Sequence, residues 1–412
     1  MPFRWERKSV YDDGFYMKKQ RFIITAFALS SPETMGGNSK ICLEIMRYLS
    51  LNFEVHVVVS NDRVLTIEKT LGDLSNLYIH SVPNFGKSEF IHFFECVRYY
   101  TSSLERIFNE LKVGDDDIVY SCSDFHVDTL PCLKLKKKFG YKWIAVQFLF
   151  VPSLWENLVK GYKFPAIKYI LVWVYSYLLF YLARSRADAF VITNDSDRNH
   201  FSKSFQKKIF PFYGGVNVDQ IPAGRRSPRW DVVFCSRLHP QKGIDGFLDV
   251  WKIVHEKKSN VRFGIIGNGY KRYEDYLKDK AKRLGIIDSI DWLGYVNNEA
   301  KYEIYASSKV MVHPTVFDNN GMVAAEALCS GLPVVMYDLT PLRELYTEGC
   351  IKIPFGDKAA FSKAIIMLLD DKAMRESIAP SGEILERLRN RWDWANRVAA
   401  FRLWLVGCGL WN

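Results

Sequence analysis

Val310-Met-Val-His-Pro314-Thr-Val-Phe-Asp318-Asn-Asn-Gly321-Met-Val-Ala-Ala-Glu326-Ala-Leu-Cys-Ser-Gly331-Leu-Pro333-Val-Val-Met336 is the stretch whose reading decides the fold. The apolar run at 310–313 predicts a buried strand, and 322–330 predicts a helix of small residues. A second apolar run at 333–336 predicts the next strand. Strand, helix, strand in so short a span makes a parallel crossover unit. Within it Asp318 lies in the loop after the strand, where ligands of open α/β sheets collect. Glu326 is a carboxylate on an otherwise apolar helix, a costly placement unless it meets hydrogen-bond donors such as sugar hydroxyls. Amides of Gly321, Met322 and Val323 suit phosphate oxygens. Helix capping by Asn319 or Asn320 is the purely structural account of the polar run.

The alternation extends outward in both directions. Strands are expected at 231–235, 261–266 and 290–293, with helices near 246–257, 273–284 and 298–306. An earlier series places strands at 21–28, 54–60, 77–81, 117–121, 142–147 and 187–193, with helices at 38–50, 89–111 and 128–139. Two such series imply an α/β chain of two Rossmann-like domains facing a central cleft. The expected division is a tail over 1–20, a first domain over 21–215, a linker over 216–230 and a second domain over 231–387. A long helical region, 381–405, closes the chain, and its part from about 388 to 412 is expected to complete the first domain.

Three further loops carry polar or glycine-rich sequence. Gly36 and Gly37 sit between the first strand and the first helix, where they serve either a tight turn or close approach to an anion. Arg237 and Lys242 stand five apart after the first strand of the second series; they can grip one diphosphate or remain solvated cations. Gly267-Asn-Gly269 ends a strand but lacks the third glycine and the acidic residue of a dinucleotide fingerprint.

Together, Ser236-Arg-Leu…Lys242-Gly243, Gly267-x-Gly269, Trp292-Leu-Gly294-Tyr-Val296 and the pair Asp318…Glu326 stand in a known order. The chain resembles the retaining glycosyltransferases of family 4, the group 1 enzymes. That resemblance implies the GT-B fold and a nucleotide diphosphate-sugar as substrate, with no cofactor and no metal. It implies that Arg237 and Lys242 hold the donor diphosphate, that Glu326 binds the ribose, and that Asp318 contacts the donor sugar. Gly321, Met322 and Val323 would meet phosphate, Gly36 and Gly37 would close over it, and Gly267, Val296, Asn319 and Asn320 would line the donor side. Two departures stand out. Asp318 replaces the first Glu of the usual pair, and Gln147 stands where the family often carries a histidine. On the acceptor side His126 is either a substitute for that histidine or an ordinary core or surface residue.

Composition bounds the remaining choices. The 412 residues carry 56 Lys+Arg against 46 Asp+Glu, a net charge of +10, with 48% hydrophobic and 15% aromatic residues. Collagen-like, mucin-like and wholly disordered chains are excluded. From Lys134 to Arg229 there are 17 basic and 5 acidic residues, or +12, leaving −2 for the rest. Inside that window residues 169–183 carry no charge and, as a helix, would span ~22 Å, too short to cross a bilayer. Burial in a core and contact with an anionic membrane surface through 160–186 both fit this run. No nucleic-acid module is visible. The first 20 residues lack a signal-peptide core, and eight scattered cysteines suit the cytoplasm or its membrane face. The expected function is transfer of a hexose-type sugar to a glycan or lipid-linked saccharide acceptor. A catalytically silent GT-B binding subunit and a nucleotide-sugar epimerase are the alternatives.

Overall fold

The computed structural model describes residues 20–31, 35–151 and 166–411. The first sheet runs β3-β2-β1-β4-β5-β6-β7, and all its pairings are parallel. Its strands are Phe22–Thr25 (β1), Val55–Ser60 (β2), Leu77–Val82 (β3), Ile118–Ser121 (β4), Lys142–Gln147 (β5), Ala189–Ile192 (β6) and Ile209–Pro211 (β7). Phe22 and Ile24 enter one core while Ile23 enters another on the opposite face. The period-two alternation of a strand thus feeds both helix layers, which is why β1 is apolar from Phe22 to Ile24 and buried at every position.

The second sheet runs β10-β9-β8-β11-β12-β13, again wholly parallel. Its strands are Trp230–Cys235 (β8), Phe263–Ile266 (β9), Ile290–Gly294 (β10), Ser308–His313 (β11), Val334–Tyr337 (β12) and Cys350–Ile353 (β13). In both sheets the chain reverses direction of travel beside the first strand, between β1 and β4 and between β8 and β11. Crevices open at the carboxyl ends of such strands.

Two edge strands fall outside the sequence expectation. β7 is three residues ending in Pro211, and β13 is a half-exposed Cys-Ile-Lys-Ile. Both are too short or too mixed for an apolar pattern, and sheet edges tolerate that. The expected terminal helix is two helices, Gly382–Trp392 and Trp394–Gly407, broken at Asp393, whose backbone is extended at φ −58, ψ 132. Asp393 caps the second helix by accepting from the Asn396 amide at 3.1 Å. Trp392 belongs to the core of the second domain, whereas Trp394, Phe401 and Trp411 belong to that of the first. The chain therefore crosses back at residue 393. The linker is docked as well. Arg225 donates to the carbonyls of Tyr305, at 3.0 Å, and Ser308.

The uncharged run forms part of a helix, Ala166–Arg184. It is neither wholly buried nor wholly free. Leu179, Phe180 and Ala183 are buried, while Leu171, Val174 and Leu178 are exposed. Among the described residues no helix is long and apolar enough to cross a membrane. Lys160 and Lys163 lie outside the described residues.

Candidate functional site

The loop after β11 and the turn after β8 are stitched together. Val316 donates to the Gln241 carbonyl at 3.0 Å, and the Gln241 side chain donates to the Phe317 carbonyl at 2.8 Å. Gly243 has φ +71, and a Cβ there would collide with the Pro314 carbonyl, so only glycine lets the two loops lie this close. The stitching brings Lys242 to Asp318, with Nζ donating to Oδ2 at 2.6 Å. The other carboxylate oxygen accepts from the Gly321 amide at 3.1 Å and the Asn320 amide at 3.3 Å.

Burial alone would raise the pKa of Asp318. Lys242, His313 and the hydrogen bonds outweigh it and hold the carboxyl well below the usual range. His313 ends β11 with Nε2 3.6 Å from Asp318 Oδ2. Burial dominates there, and its pKa falls to about 4. The ring is neutral near pH 7.

Helix Met322–Cys329 begins at Gly321, which adopts φ +62 and is itself the cap. Neither Asn319 nor Asn320 caps it, and the Gly321 amide is occupied by Asp318. The anion-ready amides are therefore those of Met322 and Val323, left over in the first turn as helix geometry requires. Glu326 lies one turn on, where Oε1 accepts from Lys301 Nζ at 2.7 Å. Its Oε2 is sealed from solvent without a hydrogen-bond donor among the described residues. Arg237 is exposed and makes no ion pair with a described residue. Across the cleft, Gly37 opens helix Gly37–Ser50, and a Cβ on it would lie 3.2 Å from Met322 Cε. Arg237, Lys242, the two amides and Glu326 thus line one wall, with the Gly36–Gly37 turn against the same helix start.

Residues 219–384 match the family described as glycosyl transferases group 1. The second domain is a group 1 glycosyltransferase domain. The fold of the whole is GT-B. The phosphatidyl-myo-inositol mannosyltransferase of Mycobacterium leprae is 32% identical over 44% of this chain and 49% of its own length. The O-antigen chain mannosyltransferase B of Escherichia coli is 27% identical over 39% of this chain and 42% of its own. The matched stretch spans about half the length of these curated relatives. Among solved structures, the sucrose-phosphate synthase of Thermosynechococcus elongatus superposes with a TM-score of 0.76 at 14% identity, covering 94% of this chain and 99% of that one. The Anabaena protein HepE, solved with UDP and glucose, gives 0.67 at 15% identity over 93% and 99%.

Several expected site residues have other work around the group 1 domain. Asn319 spends its amide nitrogen on Phe148 O at 2.9 Å, Thr193 Oγ1 at 2.8 Å and Asp197 Oδ2 at 3.0 Å, all in the first domain. Asn320 gives its carbonyl to the Tyr346 hydroxyl at 2.8 Å. Gly267, at φ +124, leaves room for the Ser236 carbonyl, and Val296 packs on the second core. His126 is a core residue: its Nδ1 meets the Tyr175 hydroxyl at 2.7 Å, and its ring lies 4.7 Å from that of Phe93. Gln147 is buried at the end of β5, donating to Leu149 O at 2.9 Å and Asp124 Oδ2 at 3.5 Å. Sequence reasoning missed Lys301, Asp124, Asp197 and His313. Only His313 left a signal, as a polar residue closing an apolar strand before Pro314.

Proposed function

We propose that this chain is a retaining, metal-independent glycosyltransferase that moves a hexose-type sugar from a nucleotide diphosphate-sugar to a glycan or lipid-linked acceptor. The observation that carries the reading is the donor wall: two cations, two unspent helix amides and a carboxylate with one open acceptor. Cleavage at the anomeric carbon puts negative charge on the leaving diphosphate. In this reading Arg237, Lys242 and the amides of Met322 and Val323 stabilise that charge, and the stitched loops that hold Lys242 and the helix start that holds the amides limit the reorganisation needed. Lys242 would then share its protons between Asp318 and phosphate, which ties the sugar-side carboxylate to the leaving group. The curated relatives are mannosyltransferases by description, which favours a hexose.

The acceptor side favours work at a membrane surface. Phe90, Ile91 and Phe94 are exposed, and Phe90 packs 6.1 Å from Tyr175, which joins them to the open face of helix Ala166–Arg184. Lys168, Arg184 and Arg186 flank that face in sequence, as anionic headgroups require.

A donor panel tests the activity. Release of nucleotide from UDP-, GDP- and ADP-hexoses in the presence of membrane extract should be seen for one of them. Lys242→Ala should cut turnover by about 100-fold or more, the usual cost of one transition-state donor. Turnover of donor without any acceptor would instead point to the epimerase, and no turnover by a folded protein would point to the silent subunit.

A further inference from the structure

The wall holds one ion pair that the diphosphate chemistry does not use. Lys301 stands on helix Asn298–Ala306, which Asn297 caps by accepting from the Ala300 amide at 2.9 Å. Its Nζ lies 2.7 Å from Glu326 Oε1, 3.2 Å from Asn298 Oδ1 and 5.0 Å from the Tyr302 ring centroid. Both side chains are largely withdrawn from solvent, at 12% and 16% exposure. Burial works against the ammonium, yet the facing carboxylate more than compensates and its pKa is raised. The thiol of Cys235, at the end of β8, lies on the same spot and is pushed up to about 11 by burial.

A lysine occupies one carboxylate oxygen and leaves the other able to accept from a second donor. Here one oxygen is spent on Lys301, and the other is buried and without a donor among the described residues. Leaving such an acceptor unmet is unfavourable, so the arrangement is complete only when a ligand donates to it. We propose that Lys301 is a positioning residue: it anchors Glu326 by Oε1 so that Oε2 is presented to the vicinal ribose hydroxyls of the donor nucleotide. The inference rests on the donor reading above and assigns a device within it. Lys301 touches no substrate. It fixes the rotamer of the group that does, as outer-shell partners do for other ligating side chains.

The test is calorimetric binding of UDP, GDP and ADP, followed by the 2′,3′-dideoxy form of whichever binds most tightly. The intact protein should prefer the ribonucleotide. Lys301→Met should weaken it by about tenfold, the loss of one charge-assisted hydrogen bond, while the dideoxy form binds as before. Lys301→Arg should restore part of the preference. Equal losses for both nucleotides, or a preference that survives Lys301→Met unchanged, would overturn the proposal. Should Lys301→Met fail to fold, Lys301→Gln carries the same comparison. If the intact protein binds none of the three diphosphates, the donor reading falls and this inference with it; if it binds them without a ribose preference, only this inference falls.

Discussion

Asp318 is one methylene shorter than the glutamate expected at its place, and Lys242 closes the difference by coming to 2.6 Å. The pair sits beside a neutral His313, and the Gly321 amide fixes the second oxygen. With the folded pKa depressed, the stabilisation is present above the unfolded pKa near 4 and is lost as pH falls through the folded value. Asp318→Asn should therefore cost about 1–3 kcal/mol at pH 7, since it leaves Lys242 half-buried without its counter-ion. The deficit relative to the parent should shrink steadily below about pH 4. Urea titrations of both proteins at pH 7 and pH 3.5 check this, and an equal deficit at both values would contradict the charge account. This residue-level chemistry was partly legible in sequence. Asp318 and Lys242 were visible as charges in loops that follow apolar strands, and Glu326 as a carboxylate on an otherwise apolar helix. Lys301 was not, because a lysine on an amphipathic helix reads as solvated until the neighbouring helix is known.

At the scale of elements, the sheets were legible wherever both faces are covered, since β1, β8 and β12 are then mostly apolar, with only Thr25 interrupting β1 and Asp231 interrupting β8. β7 and β13 were not, because an edge strand needs neither length nor pattern. The basic window also changes meaning. Lys136 pairs with Asp188 at 2.5 Å, Arg198 with Asp195 at 2.8 Å, and Arg225 holds the linker down, so part of the +12 is internal mortar. The rest of the window keeps exposed cations such as Lys137, Lys203, Lys207 and Lys208, and the first domain also exposes apolar side chains: Ile91 is 80% exposed, Phe94 85% and Leu171 64%. Changing exposed residues away from a core costs little stability. Ile91→Ser combined with Phe94→Ser should keep the melting temperature within about 2 °C of the parent. The same variant should lose most of its co-sedimentation with vesicles rich in phosphatidylglycerol. Unchanged sedimentation would remove this face from the membrane reading.

For the whole molecule, one hydrogen-bonded contact across the cleft is Asn319, which reaches into the first domain one residue beyond Asp318. Withdrawing it would strip Asp197 of a donor and open that carboxylate to water. In the closed form burial raises Asp197 to about 7, against the lowering effect of hydrogen bonds from Asn319 and Asn194. A raised carboxyl pKa means the closed form binds the proton more tightly than an opened one. Closure is therefore most favoured below about pH 4, weakens as pH rises from 4 to 7, and is fully penalised above that, by at most about 4 kcal/mol. The radius of gyration from small-angle scattering should accordingly increase between pH 5 and pH 8. Asp197→Asn keeps an oxygen to accept from Asn319 but cannot ionise, so its radius should stay at the low-pH value throughout. Asn319→Ala should be expanded at every pH. If the parent and Asp197→Asn give superimposable profiles, Asp197 does not govern closure. Attention then moves to other cleft contacts such as Met322, whose thioether fills the space that Gly37 and Gly214 leave on the other side of the cleft.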